Sequence, residues 1–212
     1  MKKNTGLILI LIAISLLLTR CVKDHNNGPC EIVSDFFFSG MIFEDQICLN
    51  DGRDGVGINC SYVLKDNSTE IGMYRFGLDT YPVFRFDTWI TLVTPYINVL
   101  NYDHVWELFE PGIKLFTDPE SVNDKRFDFE YTVVNSVMGS APILMSYYYT
   151  ISGDQAGSSI NIIERKETVS SDPDYREIAV KMVINCKLYS YNKILQGELI
   201  DAEANLLLKI PV

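Results

Sequence analysis

Two histidines are present, and only one of them has an acidic neighbour with which it could do chemistry. His25 lies near the N-terminus, whereas His104 follows Asp103 directly. A nucleophilic triad would need this pair together with a serine. No serine stands in a G-x-S-x-G sequence, and the nearest stretch, residues 139–142, reads GSAP and lacks the second glycine. We therefore expect no catalytic residue of the triad type.

Paired carboxylates are a second arrangement that could catalyse a reaction, because glycosidases use two acidic side chains at a fixed separation. Three such pairs are close in the sequence: Glu107 with Glu110, Asp172 with Asp174, and Asp51 with Asp54. The first pair would share the wet face of a short helix, and the other two fall in turns. A hydrolase of polysaccharide or peptide that uses a carboxylate pair is the alternative to a non-enzymatic function.

Metal and cofactor sites are not predicted. Residues 50–55, NDGRDG, differ from a calcium-binding loop because Asn50, Gly52 and Asp54 would occupy the ligand positions, and glycine has no side-chain ligand. The cysteines lack the C-x-x-C spacing of zinc and thioredoxin-type sites, and no glycine-rich loop is present to bind a phosphate. We expect neither a metal nor a cofactor.

Aromatic side chains remain as candidates for ligand recognition. Exposed Trp and Tyr stack against the apolar face of sugars and are favoured at protein interfaces. The binding candidates are Trp89, Trp106, Tyr147 and Tyr148. Successive strand residues point to opposite faces, so one of the two tyrosines should point outward. For both tryptophans the favoured interpretation is packing, with Trp89 in the core and Trp106 between a helix and the end of a sandwich.

The elements that must position these residues are mostly short strands. Apolar and polar residues alternate with period two, most clearly over residues 178–191. Residues 57–65 and 70–78 predict a hairpin around the polar turn 66–69. Further strands are expected at 36–42, 83–93, 126–134, 143–151 and 159–167, with one or two in 195–212.

One segment has helical rather than strand spacing. Val105, Leu108 and Phe109 follow a candidate N-cap, Asp103, and Pro111 would end the helix. We predict a two-turn helix that closes one end of the sheets. The fold class is therefore all-β: an antiparallel β-sandwich, or a partly open barrel, with one short helix.

The N-terminus predicts export and lipid anchoring. A basic start, Lys2 and Lys3, precedes an apolar run over residues 7–18 that is too short to span a bilayer. The LTRC sequence that ends at Cys21 resembles a bacterial lipobox, which implies lipidation of this cysteine. We predict a lipoprotein signal peptide over residues 1–20, a flexible tether over 21–33 and a single β-sandwich domain over 34–212.

Net charge disfavours nucleic acid as a partner. The chain carries 18 basic and 28 acidic residues, and removal of the signal leaves 15 basic residues against the same 28, a net charge of −13. Phosphate recognition needs clustered Lys and Arg, which an acidic chain does not offer.

Five cysteines divide into Cys21 and four that an oxidising compartment can pair. Three pairings are open. Cys60 and Cys186 both fall on apolar faces of strands and could bridge the two sheets, which would leave Cys30 with Cys48. The alternative is four unreactive thiols.

The order of these segments resembles a known group of proteins. A lipobox is followed by FFFSGMIFEDQICLNDG, then VWELFEPGIKLF, VKMVINCKLYS and GELIDAEANLLLKIPV. This order is similar to that of uncharacterised small β-sandwich lipoproteins of gut Bacteroidota. The resemblance implies a lipoprotein at the outer membrane or cell surface and carries over no functional residue. We expect a non-enzymatic binding or structural module whose partner is a glycan or an envelope protein.

Overall fold

Alternation of apolar and polar residues produces strands in nearly every segment where it occurs. The computed structural model describes residues 30–80, 86–116, 126–135 and 144–212. The strands are β1 (Phe37–Ile42), β2 (Asp45–Asn50), β3 (Val56–Leu64), β4 (Ile71–Thr80), β5 (Phe86–Val93), β6 (Ile97–Asn98), β7 (Gly112–Lys114), β8 (Asp128–Asn135), β9 (Leu144–Tyr149), β10 (Ser159–Thr168), β11 (Tyr175–Tyr189) and β12 (Leu195–Pro211). The described helix is α1 (Tyr102–Leu108).

The strands form two antiparallel layers. In the first layer the order is β2-β1-β12-β11-β10-β7, and in the second it is β9-β8-β5-β4-β3, with the short β6 beside β4. A pairing of Tyr149 in β9 with Tyr189 in β11 joins the layers. The hydrogen-bonded path runs from β2 to β3 without closing into a barrel. The predicted all-β sandwich is thus confirmed.

The core lies between the inner faces of the two layers. In β4, Tyr74, Phe76 and Leu78 are fully buried, because every second side chain points inward. Phe38 of the first layer and Phe129 of the second pack with ring centroids 6.0 Å apart. Burial of such side chains is the main favourable term in the free energy of folding.

Helix α1 begins two residues earlier than predicted. Its N-cap is Asn101, not Asp103: the Asn101 side chain accepts hydrogen bonds from the backbone N–H groups of Asp103 (3.0 Å) and His104 (3.2 Å). Asp103 lies instead in the first turn, where a negative charge is favourable. Val105 and Phe109 are fully buried and dock the segment onto the core.

The cysteines divide differently from the two-bridge expectation. Cys30 and Cys48 form a disulfide with an S–S length of 2.06 Å. Cys60 and Cys186 are free thiols, so the predicted bridge between the sheets is absent. The Cys60 thiol instead accepts a hydrogen bond from the backbone N–H of Lys209 at 3.3 Å, and burial raises its pKa to about 11.

The end of the predicted tether is attached to β2. Besides the disulfide, the Asn50 side chain donates to the Glu31 carbonyl (3.1 Å) and accepts from the Val33 N–H (3.0 Å). These bonds hold residues 30–33 on the sandwich. The predicted signal peptide, Cys21 and the rest of the predicted tether lie outside the described residues. Within the described ranges, no helix has the length and apolar character needed to cross a membrane.

Truncation of a side chain that joins the layers should be costly. We expect Phe129→Ala to lower the free energy of unfolding by about 3–5 kcal/mol, because it removes buried area and leaves a cavity beside Phe38. Urea denaturation measures the change. Tyr191→Ala is the matched control, since Tyr191 is 86% exposed. An equal loss in both variants would contradict this core assignment.

The thiols of Cys60 and Cys186 should resist alkylation in the folded protein. At pH 8 a thiol with the pKa of Cys60 is about one part in a thousand thiolate, and the thiolate is the form that reacts. Peptide mapping after iodoacetamide treatment should find both modified only in denaturant. The same map should contain a Cys30–Cys48 linked peptide, and a Cys60–Cys186 peptide would contradict the structure.

Candidate functional site

The outer face of the second layer carries polar and aromatic side chains in register. Asp79, Trp89, Thr132 and Tyr147 are paired across four neighbouring strands. A second row runs parallel to the first, displaced by two residues along each strand. It contains Asn59, Gly77, Thr91, Glu130 and Tyr149. Ser61 pairs with Arg75 at the next position. Residues distant in sequence therefore meet on one surface.

These rows line a groove of about 490 Å³ on the surface. Gly77 stands in the second row between Asn59 and Thr91. A Cβ there would come within 2.0 Å of the Ile90 carbonyl oxygen, so any larger residue would push β4 away from β5. The lining residues are Asn59, Ser61, Arg75, Asp79, Trp89, Thr91, Glu130, Thr132, Tyr147 and Tyr149.

Three aromatic side chains border the groove. Trp89 is partly exposed and its neighbour Ile90 is fully buried, so Trp89 points to the outer face and the expected placement of Trp89 in the core is wrong. The rings of Tyr147 and Tyr149 are nearly parallel, with an interplanar angle of 3° and centroids 6.2 Å apart. Tyr147 is 41% exposed. Flat, partly exposed rings are suited to stacking on a ligand.

An ion pair crosses the floor of the groove. The Arg75 guanidinium donates to the Glu130 carboxylate, and the Glu130 side chain is only 14% exposed. Burial raises the pKa of Glu130, while the charge of Arg75 acts in the opposite direction. The two side chains thereby satisfy each other, and Arg75 supplies a counter-charge for the largely buried carboxylate.

Asp79 is less well satisfied. Its Oδ1 atom is buried and has no hydrogen-bond partner among the described residues. Burial raises the pKa of Asp79, and a hydrogen bond from its own backbone N–H acts in the opposite direction. A carboxylate with so few donors has unused capacity to accept hydrogen bonds from a ligand in the groove.

A third acid on the outer face, Asp128, has a structural role. It accepts hydrogen bonds from the Thr150 hydroxyl and, at 3.0 Å, from the Ile151 N–H. Asp128 is 7% exposed, and burial raises its pKa. It connects β8 to the end of β9 and does not line the groove.

The other two aromatic candidates lie elsewhere. Tyr148 points inward, where its ring packs against Phe43 (centroids 4.6 Å apart) and Tyr131 (5.8 Å). Trp106 is enclosed by Tyr102, whose ring is 6.0 Å away, and by the Arg165 guanidinium, 4.4 Å from the indole centroid. Trp106 thus anchors α1 to β10, as the packing interpretation proposed.

A second depression, of about 410 Å³, lies beside the start of α1. The ring of Tyr102 there is covered by Arg176, whose guanidinium is 3.2 Å from the ring centroid. Arg176 also forms an ion pair with Glu167 at 2.8 Å. Both side chains are already engaged, so this depression offers a ligand less than the groove does.

The remaining sequence candidates do not assemble into a site. His104 is exposed on α1, and Asp172 and Asp174 are exposed in the turn before β11. Among the described residues, no group of three or more His, Cys, Asp or Glu is placed to bind a metal ion.

Sequence reasoning missed Arg75, Asp79 and Glu130. Each stands in an alternating strand at a position opposite to the core residues, which is a signal that the sequence contains. Their meeting depends on strand order and register, which the sequence pattern does not specify.

Comparisons with known proteins identify no relative. No protein-family model matches the chain, and neither a curated protein nor a solved structure shows significant similarity to it. The resemblance to Bacteroidota lipoproteins therefore stays a prediction.

Removal of Arg75 should make fold stability more dependent on pH. A carboxyl group whose pKa is raised by folding costs stability when ionised, and this cost disappears as the pH falls below its folded pKa. We expect Arg75→Met to lower the free energy of unfolding by about 1–3 kcal/mol at pH 7, and by less as the pH falls and Glu130 takes up a proton. The partial exposure of Arg75 keeps the effect below that of a fully buried pair.

Urea denaturation at two pH values tests this expectation. The double variant Arg75→Met/Glu130→Gln should recover most of the lost stability, because no unpaired charge remains. Arg53→Met is the control: Arg53 is half exposed and lies 3.7 Å from Glu31, so its removal should change little at either pH. A loss at Arg75 that stays equal at both pH values would contradict the role assigned to Glu130.

Proposed function

We propose that this protein is a non-enzymatic glycan-binding module, exported and held at the outer membrane or cell surface by a lipid on Cys21. The observation that carries the binding role is the groove in which Trp89, Tyr147 and Tyr149 border a polar floor. The lipid anchor and the location rest on the N-terminal sequence alone.

Two chemical features of the groove suit a sugar. A pyranose has an apolar face, which stacks on aromatic rings, and a rim of hydroxyl groups, which need donors and acceptors. The rings supply the first, and the polar side chains Asn59, Asp79 and Thr91 supply the second. Such sites combine a small number of placed polar groups with aromatic walls.

The position of the groove also favours an extended ligand. It lies on the outer face of a sheet and is lined by residues from five strands, β3, β4, β5, β8 and β9. Neighbouring strands are about 4.8 Å apart, so the lined surface is about 19 Å across. This span exceeds one sugar ring and fits a segment of a polysaccharide chain.

Hydrolysis of a polysaccharide is the second candidate function, and one observation favours it. Asp79 and Glu130 line the same groove, and burial raises the pKa of both. Two observations favour binding instead. Asp79 and Glu130 stand two strands apart and two positions apart along the strands, about 12 Å between backbones, against about 5–9.5 Å between the carboxyl groups of glycosidases. In addition, Glu130 is paired with Arg75. A general acid needs its proton at working pH, and a bound guanidinium favours loss of that proton.

Loss of a stacking ring should weaken glycan binding without unfolding the protein. We expect Trp89→Ala and Tyr147→Ala each to reduce affinity about tenfold or more for a polysaccharide found on a glycan array. Affinity electrophoresis of the full-length protein in detergent, in gels that contain the polysaccharide, measures the change. Tyr191→Ala removes an exposed tyrosine outside the groove and should bind as the unchanged protein does.

The same samples separate binding from hydrolysis. Incubation with the polysaccharide and assay of new reducing ends should detect no turnover. Turnover abolished by Asp79→Asn and Glu130→Gln would favour the hydrolase. Absence of glycan binding by the unchanged protein, or equal loss in Tyr191→Ala, would contradict the proposal.

A further inference from the structure

We propose that the groove selects uncharged glycans, with Asp79 as the residue that accepts hydrogen bonds from sugar hydroxyl groups and discriminates against acidic polymers. This inference rests on the proposed function and names the substrate class of the same site. It follows from the charges within the groove and from the unused acceptor capacity of one carboxylate.

The charge balance of the groove is negative. Its lining includes two acids, Asp79 and Glu130, and one base, Arg75, which leaves an excess of one negative charge. The single guanidinium is already bound to Glu130. The buried Asp128 stands beside this pair and adds to the negative charge that Glu130 experiences. A uronate or sulfate group would therefore meet like charge and no unengaged cation among the described lining residues.

The hydrogen-bonding capacity of Asp79 indicates what the ligand must bring. An ionised carboxylate accepts hydrogen bonds and donates none, so its partner must carry O–H or N–H groups. Oδ1 of Asp79 has no donor among the described residues. The terminal torsion of an aspartate is broad, so rotation about the Cβ–Cγ bond can present either oxygen to the groove. Neighbouring hydroxyl groups of a sugar match two carboxylate oxygens.

The place of Asp79 beside an aromatic ring supports this assignment. Asp79 pairs directly with Trp89 across β4 and β5, and side chains directly opposite in neighbouring strands are about 5 Å apart at Cβ. A ring stacked on Trp89 would hold its edge hydroxyl groups near the carboxylate. Stacking sets the plane of the sugar, and Asp79 sets its orientation within that plane.

An unsatisfied carboxylate should lower the stability of the unliganded fold, which separates a binding role from a structural one. Truncation of a residue with a structural role lowers the stability of the protein, because the hydrogen-bonding partners of that residue are left unpaired. Asp79 has no such partner at Oδ1, so Asp79→Ala should leave Tm unchanged or raise it while binding is lost.

The test compares each neutral polysaccharide with its own carboxymethylated form. Full-length protein in detergent is measured by affinity electrophoresis against starch, dextran, mannan and galactan, each beside its carboxymethyl derivative, and Tm is measured in parallel. For any neutral polymer retained through Trp89, we expect the acidic form to bind at least tenfold more weakly. Asp79→Ala should weaken neutral binding at least tenfold, with Tm unchanged or higher.

Two further variants sharpen the result. Asp79→Asn keeps one acceptor oxygen and removes the charge, so it should narrow the gap between neutral and acidic polymers. Glu203→Ala removes an exposed acid from the outer face of the first layer and should change neither binding nor selectivity.

The outcomes distinguish this inference from the proposed function. Glycan binding that requires Trp89 but favours the acidic polymer, or that survives Asp79→Ala, would overturn the inference and leave the binding role intact. A fall in Tm that accompanies lost binding in Asp79→Ala would assign Asp79 a structural role and likewise overturn it. Failure of every polymer to bind would contradict the proposed function and this inference together.

Discussion

A strand in a two-layer sandwich can bury only one of its faces, and the candidate site of this protein depends on that constraint. Because β4 turns Tyr74, Phe76 and Leu78 into the core, the residues between them must lie on the opposite surface. The same holds for β5 and β8, so the polar and aromatic groove is the reverse side of the hydrophobic core. A register shift of one residue in any of these strands would exchange the two sets. The packing energy that holds the core thus also holds the groove in place.

The carboxylates on this outer face differ in how many hydrogen-bond donors of the chain they bind. This difference distinguishes the acids with a structural role from the one that is available to a ligand. Asp128 accepts hydrogen bonds from two groups of the chain, and Glu130 is bound by Arg75. Asp79 keeps an oxygen without a donor among the described residues. Desolvated groups that lack partners lower stability and persist where a ligand uses them. This physical contrast, rather than acidity itself, makes Asp79 the distinctive residue of the groove.

The two tryptophans show that one residue type can either pack within the fold or line the groove. Trp106 lies between Tyr102 and Arg165, so the faces of its ring are covered and its contacts stabilise the packing of α1. Trp89 stands between small and polar neighbours, Asp79 and Thr132, across the strands. The sequence around each tryptophan did not distinguish the packed ring from the partly exposed one, because Trp89 has both apolar and polar residues beside it in the sequence. Their difference lies in what the neighbouring strands place beside them.

Local periodicity was enough to predict most strands, the hairpin of β3 and β4, and a short helix. The reason is that burial of one face imposes a period of two or of 3.6 on the sequence itself. The N-cap was misassigned by two residues, since both Asn101 and Asp103 are good capping residues. Strand β2 was not predicted, because the turn at residues 43–44 that precedes it has no glycine or proline. Such boundaries depend on a few local bonds rather than on a repeating pattern.

The disulfide pairing and the composition of the groove depend on contacts between segments that are distant in sequence. Cys30 bonds to Cys48 while Cys60 and Cys186 stay apart, a choice that spacing along the chain left open. The placement of Asp79 and of Glu130, 51 positions later in the chain, in one groove likewise required the order β4-β5-β8 and its register. The sequence alone determined which residues form strands and which of their faces are apolar, because each strand's own alternation encodes both. The tertiary structure alone decided which outward side chains share a surface, because strand order is set by packing between segments distant in sequence.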